Sequence, residues 1–350
     1  MDKFQIEEVT EKFANAGTKA MDDVTVIAKG NAYQQVRIVR KEEGHSIWQK
    51  IMRQTRFGVD WIRAYRTITP GATVLLQQPF HTRHLWRRQV LKQLKQTKNV
   101  RFISVVHDVE ELRSRFFNDY YQEEFRFMLS ISDVIIVHNE IMARFFVERG
   151  YPERQLVVLE IFDYLQENLH NKPIVFERTL TIAGNLDSKK VPYLSELDQL
   201  RVPVHLYGPN FEEKNNYCQT IYHGSFPPEE IPNQLNRGFG VVWDGESIQN
   251  CIGYAGEYLR YNNPHKLSLY LASGLPVIVW REAATAQFVK KHQVGYVVAD
   301  LRQVKDILDK ITEQEYRKLL INVSKVRDEL LAGKYMLRAL NEAEQQLLHL

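Results

Sequence analysis

Short apolar runs separated by helix-length segments set the limits on what this chain can become. In the first half the runs fall at residues 36–39, 73–76, 102–106, 134–137 and 156–159, with helical patterns between them that include 46–68 and 116–130. The second half repeats the plan at 180–183, 204–207, 239–243, 277–280 and 296–298, without any residue-level repeat. A strand apolar along its length is buried on both faces, and a connector long enough for a helix lets the next strand run in the same direction. The pattern therefore predicts crossover units and parallel sheets, an α/β chain. With 350 residues it is too long for one small core and suits about two domains. The polar stretch 163–168, followed by Pro173, marks the boundary. The expected division is 1–162, 163–330 and a terminal segment 331–350, within a Lys-, Glu- and Leu-rich helical pattern that begins at 313.

Composition narrows the class. A hydrophobic content of 44% and a charged content of 25% are ordinary for a globular protein. No run of about 18 apolar residues predicts a transmembrane helix, and the segment Met1–Glu7 lacks the layout of a secretion signal. Cys218 and Cys251 are too few for a disulfide framework or a zinc cluster, so a reducing cytoplasm is the simplest compartment. A net charge of +3 does not make the whole molecule a polyanion binder. Residues 83–101, however, hold no acid; Leu85, Val90, Leu91 and Leu94 are expected to face a core and leave the bases outside. The preferred explanation is a solvated outer face, with no nucleic-acid partner and peripheral membrane contact at most.

Residues 262–280 carry the strongest functional signal. They read as a polar loop, a short helix opened by Pro264, a stop at Gly274 and a buried strand. The first amides of a helix have no intrahelical acceptor and form an anion site. Lys266 in that first turn runs against the preference for acids there, and a bound diphosphate would supply the reason. The string Pro264-x-Lys266-x-x-x-Tyr270-Leu271-Ala272-x-Gly274-x-Pro276-Val277 resembles the donor-binding helix of sugar-nucleotide glycosyltransferases of the GT-B fold. Many of these carry Glu immediately before the Tyr, where this chain has Leu269. The resemblance implies two Rossmann-like domains facing a central cleft. It places the acceptor domain first, the donor domain second, and a final helix crossing back to the first.

Ligands of open parallel sheets gather beyond the carboxyl ends of the strands, which selects further candidates. The run 102–106 leads into His107 and Asp108. Asp108 is placed either as a general base or as a helix cap, and His107 either beside it in catalysis or lining the sugar pocket. The His-Asp string resembles a segment of the bacterial glucosyltransferases that extend glycans on serine-rich repeat adhesins, and of related galactofuranosyltransferases. In the second half, Gly184-Asn185 ends the first strand and Lys189 and Lys190 follow. Ser225 and Phe226 fall in a segment resembling the one that holds the nucleotide base, before an expected helix start at 228–231. Asp244 or Glu246 would hold a ribose or sugar hydroxyl, and His265 adjoins Lys266. Near the front, Gly17 and Thr18 form a turn that would let a backbone amide approach donor phosphate, whereas Lys19 is expected at the surface.

There is no Gly-x-Gly-x-x-Gly fingerprint, no Gly-x-Ser-x-Gly elbow and no Asp-x-Asp metal loop. The expectation is a metal-independent hexosyltransferase with no cofactor beyond its UDP-sugar co-substrate. UDP-glucose is the favoured donor and UDP-galactofuranose the second. The acceptor is a sugar hydroxyl of a glycan or glycoprotein, and the resemblance suggests a homo-oligomer. Asp108 is the base if the reaction inverts; retention would require none. The alternatives are a non-catalytic glycosyltransferase-like subunit stabilising a partner enzyme, kept open by Leu269, and more remotely a two-domain sugar-nucleotide epimerase.

Overall fold

The computed structural model describes residues 2–10, 18–40, 46–113, 118–169, 172–212 and 219–350. The chain divides into two compact units, Met1–Leu159 with Met336–Leu350, and Glu160–Tyr335.

The first unit runs β1 (Lys3–Thr10), α1 (Lys19–Gly30), β2 (Gln34–Arg40), α2 (Ile47–Thr67), β3 (Thr73–Gln78), α3 (Arg87–Lys98), β4 (Arg101–Val106), α4 (Asp119–Ile131), β5 (Val134–Val137), α5 (Glu140–Glu148) and β6 (Leu156–Val158). Among the described residues its strands form a six-stranded parallel sheet, ordered β2-β1-β3-β4-β5-β6. The apolar runs announce every strand of this unit except β1, which alternates as Lys-Phe-Gln-Ile-Glu-Glu-Val-Thr and so escapes a search for runs. Phe4 and Ile6 enter one core with Phe57 and Trp61 of α2 and Leu91 of α3. The opposite face of β1 buries Gln5, whose Nε2 donates to Thr25 O of α1 at 3.0 Å. Ser46 and Gln49 close a reciprocal capping box that fixes the start of α2.

The basic face expected on α3 is only partly solvated. Val90, Leu91 and Leu94 point inward as expected, but Leu85 is exposed. Arg87 is buried against Glu124 of α4, Arg88 bonds Glu123 and Glu124, and Lys95 bonds Asp133 at 3.0 Å. A run without acids along the chain thus finds its acids on the neighbouring helix α4 and just beyond its end.

The second unit runs β7 (Val175–Ala183), β8 (Val204–Tyr207), β9 (Thr220–Tyr222), β10 (Arg237–Val242), α6 (Gly253–Tyr258), α7 (His265–Ala272), β11 (Val277–Trp280), α8 (Ala286–His292), β12 (Gly295–Val298), α9 (Gln303–Lys310) and α10 (Glu313–Leu331). Its described strands form a second six-stranded parallel sheet, β12-β11-β10-β7-β8-β9, around a core that includes Leu180, Phe239, Ile278 and Tyr316. The helix start expected at 228–231 is instead a turn leading into a single 3-10 turn, Ile231–Asn233. A last helix, α11 (Lys334–Leu348), carries the chain into the first unit.

Both sheets have a point where strand order reverses. In the first, β1 has β2 on one side and β3 on the other; in the second, β7 lies between β8 and β10. Beyond the carboxyl ends of the strands flanking such a point, the following connections diverge to opposite faces and leave a crevice where ligands bind.

Candidate functional site

In the second unit that crevice opens between the ends of β7 and β10, and Lys266 lies in it. A Cβ added to Gly184, the residue after β7, would sit 3.2 Å from Lys266 Cε. The ammonium reaches Asp244, two residues beyond β10, with Nζ 2.5 Å from Oδ1. Both side chains stay partly open to solvent. The basic residue at the start of α7 therefore has a partner: Asp244, expected to hold a sugar or ribose hydroxyl, balances the ammonium.

Backbone geometry keeps side chains off the strand ends beside the crevice. Gly184 and Gly208, at the ends of β7 and β8, have φ of +144° and +140°. A Cβ on Gly208 would fall 1.7 Å from Gly184 O, so the two chains approach where no side chain fits. Gly184 N donates to Tyr207 O at 2.9 Å, and Gly208 N to Gly224 O at 2.8 Å. The result is a bare shelf across the ends of β7, β8 and β9. Asn185 is exposed on it, its Oδ1 accepting from Asp187 N and Asn210 Nδ2. Ser225 is exposed and Phe226 half-buried immediately after Gly224. Lys189 and Lys190 are exposed nearby in sequence. Glu246 folds back against Gly253, since a Cβ there would lie 2.2 Å from Glu246 Oε1.

The rest of the 262–280 string is architectural. The Tyr270 hydroxyl, fully buried, accepts from Ala183 N at 2.7 Å and so ties α7 to the end of β7. Gly240 leaves room for its ring, a Cβ there falling 2.2 Å from Tyr270 Cγ. Ser268 Oγ donates to Phe162 O at 2.6 Å and Asn263 Nδ2 to Glu160 O at 2.9 Å. The ring of His265 stacks on Tyr164 with centroids 5.0 Å apart, and its Nε2 lies 3.3 Å from Asp163 O. His265 thus clasps the segment 160–164, a use that its place beside Lys266 in the sequence did not disclose.

Beside the shelf, Phe226 belongs to an aromatic row whose stacking the sequence did not disclose. Tyr207 stacks on His223 at 4.5 Å and 9°, with Phe226 at 6.4 Å. His223 Nε2 meets His205 Nδ1 at 2.8 Å. Burial, then the charges of His223 and Arg237, hold His205 down to about 4. Alternation of His205 and Tyr207 along β8 was the available signal.

In the first unit His107 and Asp108 lie just past β4 as expected. Gln77 at the end of β3 donates through Nε2 to Thr25 Oγ1 and Met21 O. Its Oε1 is therefore the acceptor facing His107 Nε2 at 2.7 Å, and that ring nitrogen carries the proton. Asp108 Oδ2 accepts from Arg113 at 2.9 Å, and Arg113 is shared with Glu110 at 3.0 Å. Burial raises the Glu110 carboxyl above its usual range despite that arginine.

A cavity of about 220 Å³ lies at the β1/β3 reversal, lined by Glu7, Glu8, Thr18, Asp22, Gln77 and His81 among others. Burial opposes ionisation of Glu8, but a hydrogen bond and charge from His84, with Arg40 and His81, pull its carboxyl below the ordinary value. Burial lowers His81 against the charges of Asp108 and Glu8. Thr18 therefore borders this first-unit cavity, while Gly17 falls outside the described residues. Lys19 is not a surface lysine; it is buried and paired with Asp23 one turn on.

Residues 3–161 match the family described as Glucosyltransferase 3-like, N-terminal domain, and residues 180–343 the corresponding C-terminal domain. The chain belongs to the Glucosyltransferase 3-like family. It is 32% identical to the Escherichia coli protein "Beta-1,6-galactofuranosyltransferase WbbI" over 71% of this chain and 72% of that one. It is 25% identical to "Glucosyltransferase 3" of Streptococcus gordonii over 94% of each. Among solved structures, Anabaena HepE in complex with UDP-glucose superposes with a TM-score of 0.58 at 10% identity, over 99% of this chain and 100% of that one. The fold is GT-B, and this Glucosyltransferase 3-like chain is a glycosyltransferase.

Proposed function

We propose that the enzyme moves a hexosyl group from a UDP-sugar to a sugar hydroxyl of a glycan or glycoprotein. The observation that carries this reading is Lys266 in the strand-reversal crevice of the second sheet, beside a shelf of bare backbone. Asp244 neutralises the ammonium. A pyrophosphate reaching the shelf would compete for it, joined by the first amides of α7. The bond between the anomeric carbon and the departing UDP oxygen breaks as the acceptor oxygen attacks. Lys266 and the helix amides take up the charge released on the diphosphate, with no need for a protein-held metal. Ser225 and Phe226, with Tyr207 and His223 beside them, are suited to hold the base, and Asn185 a polar edge of the donor. The names of two relatives, a galactofuranosyltransferase and a glucosyltransferase, favour UDP-glucose and UDP-galactofuranose as the donors to try.

In an inverting reaction Asp108 receives the acceptor proton, with Arg113 and the Gln77-anchored His107 fixing its surroundings. The test is turnover of both donors with a GlcNAc-bearing acceptor, comparing the native chain with Asp108→Asn. Turnover should fall by roughly 100- to 10,000-fold, with UDP affinity within about twofold because no diphosphate contact is touched. Full turnover by the variant removes Asp108 as base. Donor binding with no glycoside from the native chain would favour the partner-stabilising role.

A further inference from the structure

Helix α2 has two apolar faces, and none of the described residues covers the outer one. Phe57, Trp61 and Ala64 are buried in the first core. On the opposite side Ile47 and Trp48 are 75% and 77% exposed, and Ile51 and Met52 are each 50% exposed. At 100° per residue, Trp48, Met52, Val59 and Ile62 share one stripe. Leu85 and Trp86 extend the apolar surface sideways: both rings or chains lie against Gly58 of α2, where an added Cβ would be 3.1 Å from Trp86, and both are about half-exposed. A groove with Trp48, Ile51, Met52 and Val59 on its apolar side and Arg56 and Arg63 on its polar side runs towards Val39 of the edge strand β2.

Charge decides what fits there. Between Ser46 and His107 the sequence holds twelve lysines and arginines and one acid, Asp60. Asp60 is buried, accepts from Val39 N and pairs with Arg63. Glu123, Glu124 and Asp133 of the first unit neutralise Arg88, Arg87 and Lys95 on α3. Arg66 falls on the stripe with Trp48, and Arg56 and Arg63 flank it along the groove, so arginines edge the apolar strip with no exposed acid on the same helix. A second copy of the chain is a poor occupant: a two-fold contact sets the same patch against itself and opposes like charges.

We infer that the outer face of α2, with the corner at Leu85 and Trp86, docks on an anionic lipid surface. Tryptophan and aliphatic side chains enter the headgroup boundary while arginines and lysines meet phosphates. No helix among the described residues is long and apolar enough to cross a membrane, so the contact is a surface one. The inference goes beyond sugar transfer and stands without it.

The full chain is to be sedimented with vesicles of phosphatidylcholine alone and of phosphatidylcholine with about one-third phosphatidylglycerol, at low and high salt. Binding should favour the anionic vesicles at least tenfold and weaken with salt, since each basic side chain near such a surface strengthens binding by roughly fivefold. Trp48→Ser with Met52→Ser should cut binding about tenfold or more, and Arg66→Glu several-fold, each with an unchanged melting temperature because these side chains lie outside the core. Equal binding to both vesicles, no binding to either, or indifference to the Trp48/Met52 pair overturns the proposal. A dimer that the pair of serines dissolves, without vesicle binding, assigns the face to a second copy instead.

Discussion

Replacing Lys266 by Met separates the diphosphate contact from everything else the donor touches. An ammonium hydrogen-bonded to a phosphate oxygen contributes about 1.5–3 kcal/mol. Removing it also strips Asp244 of its counter-charge, because the two meet at 2.5 Å. A phosphate docking on the far side of the nitrogen would then face a bare carboxylate about 5 Å away, a repulsion of about 3 kcal/mol at an effective dielectric of 20. Both side chains are partly exposed (25% and 22%), so solvent reduces that to about 1 kcal/mol. The total, about 3 kcal/mol, corresponds to a loss of about 100-fold in UDP affinity. Titration calorimetry with UDP and with uridine reads this directly. Uridine, lacking phosphate, should bind Lys266→Met as it binds the native chain. Adding Asp244→Asn to Lys266→Met should restore several-fold of the UDP affinity, since the repulsive carboxylate is gone. If Lys266→Met keeps UDP affinity within twofold, or loses uridine equally, the ammonium does not meet the diphosphate.

Two further outcomes follow from buried groups. Tyr270→Phe removes the hydroxyl that accepts from Ala183 N inside the core; leaving that amide unsatisfied should cost about 1–3 kcal/mol, read as a lower denaturant midpoint with unchanged slope. His138 is buried and held down to about 4, chiefly by burial, with Nε2 3.0 Å from Val106 O. Its folded value lies below its unfolded value, so the unfolded chain takes up a proton first. Stability should be intact above about pH 6.5 and decline by up to roughly 3 kcal/mol as pH falls towards 4. Melts across that range should show a shallower slope for His138→Gln.

The parallel sheets were legible because buried strands such as Val134–Val137 and Val277–Trp280 are apolar along their whole length. β1 was not, since it alternates and its buried Gln5 donates to a helix carbonyl that no sequence window contains. The same limit hid the acids opposite α3, because Arg87 and Glu124 are far apart along the chain. At the candidate site the position of Lys266 was readable from helix-start chemistry. Its partner Asp244 was named, but for another role, because pairing depends on how the ends of β10 and α7 converge. The contacts of His265 were hidden for a related reason: neighbours on a short helix point to different sides, and one meets Asp244 while the other meets Tyr164.

The first unit is built from two stretches of sequence, and its second stretch anchors its first. Glu344 on α11 receives Lys3, Asn31 and Tyr33, and Gln346 donates to Leu156 O. During synthesis residues 336–350 leave the ribosome only after all of 160–335, so the lobe begun earliest is completed late. Until then the amino-terminal strand lacks its carboxylate clasp, and the nascent chain carries an unfinished lobe while its neighbour is already whole.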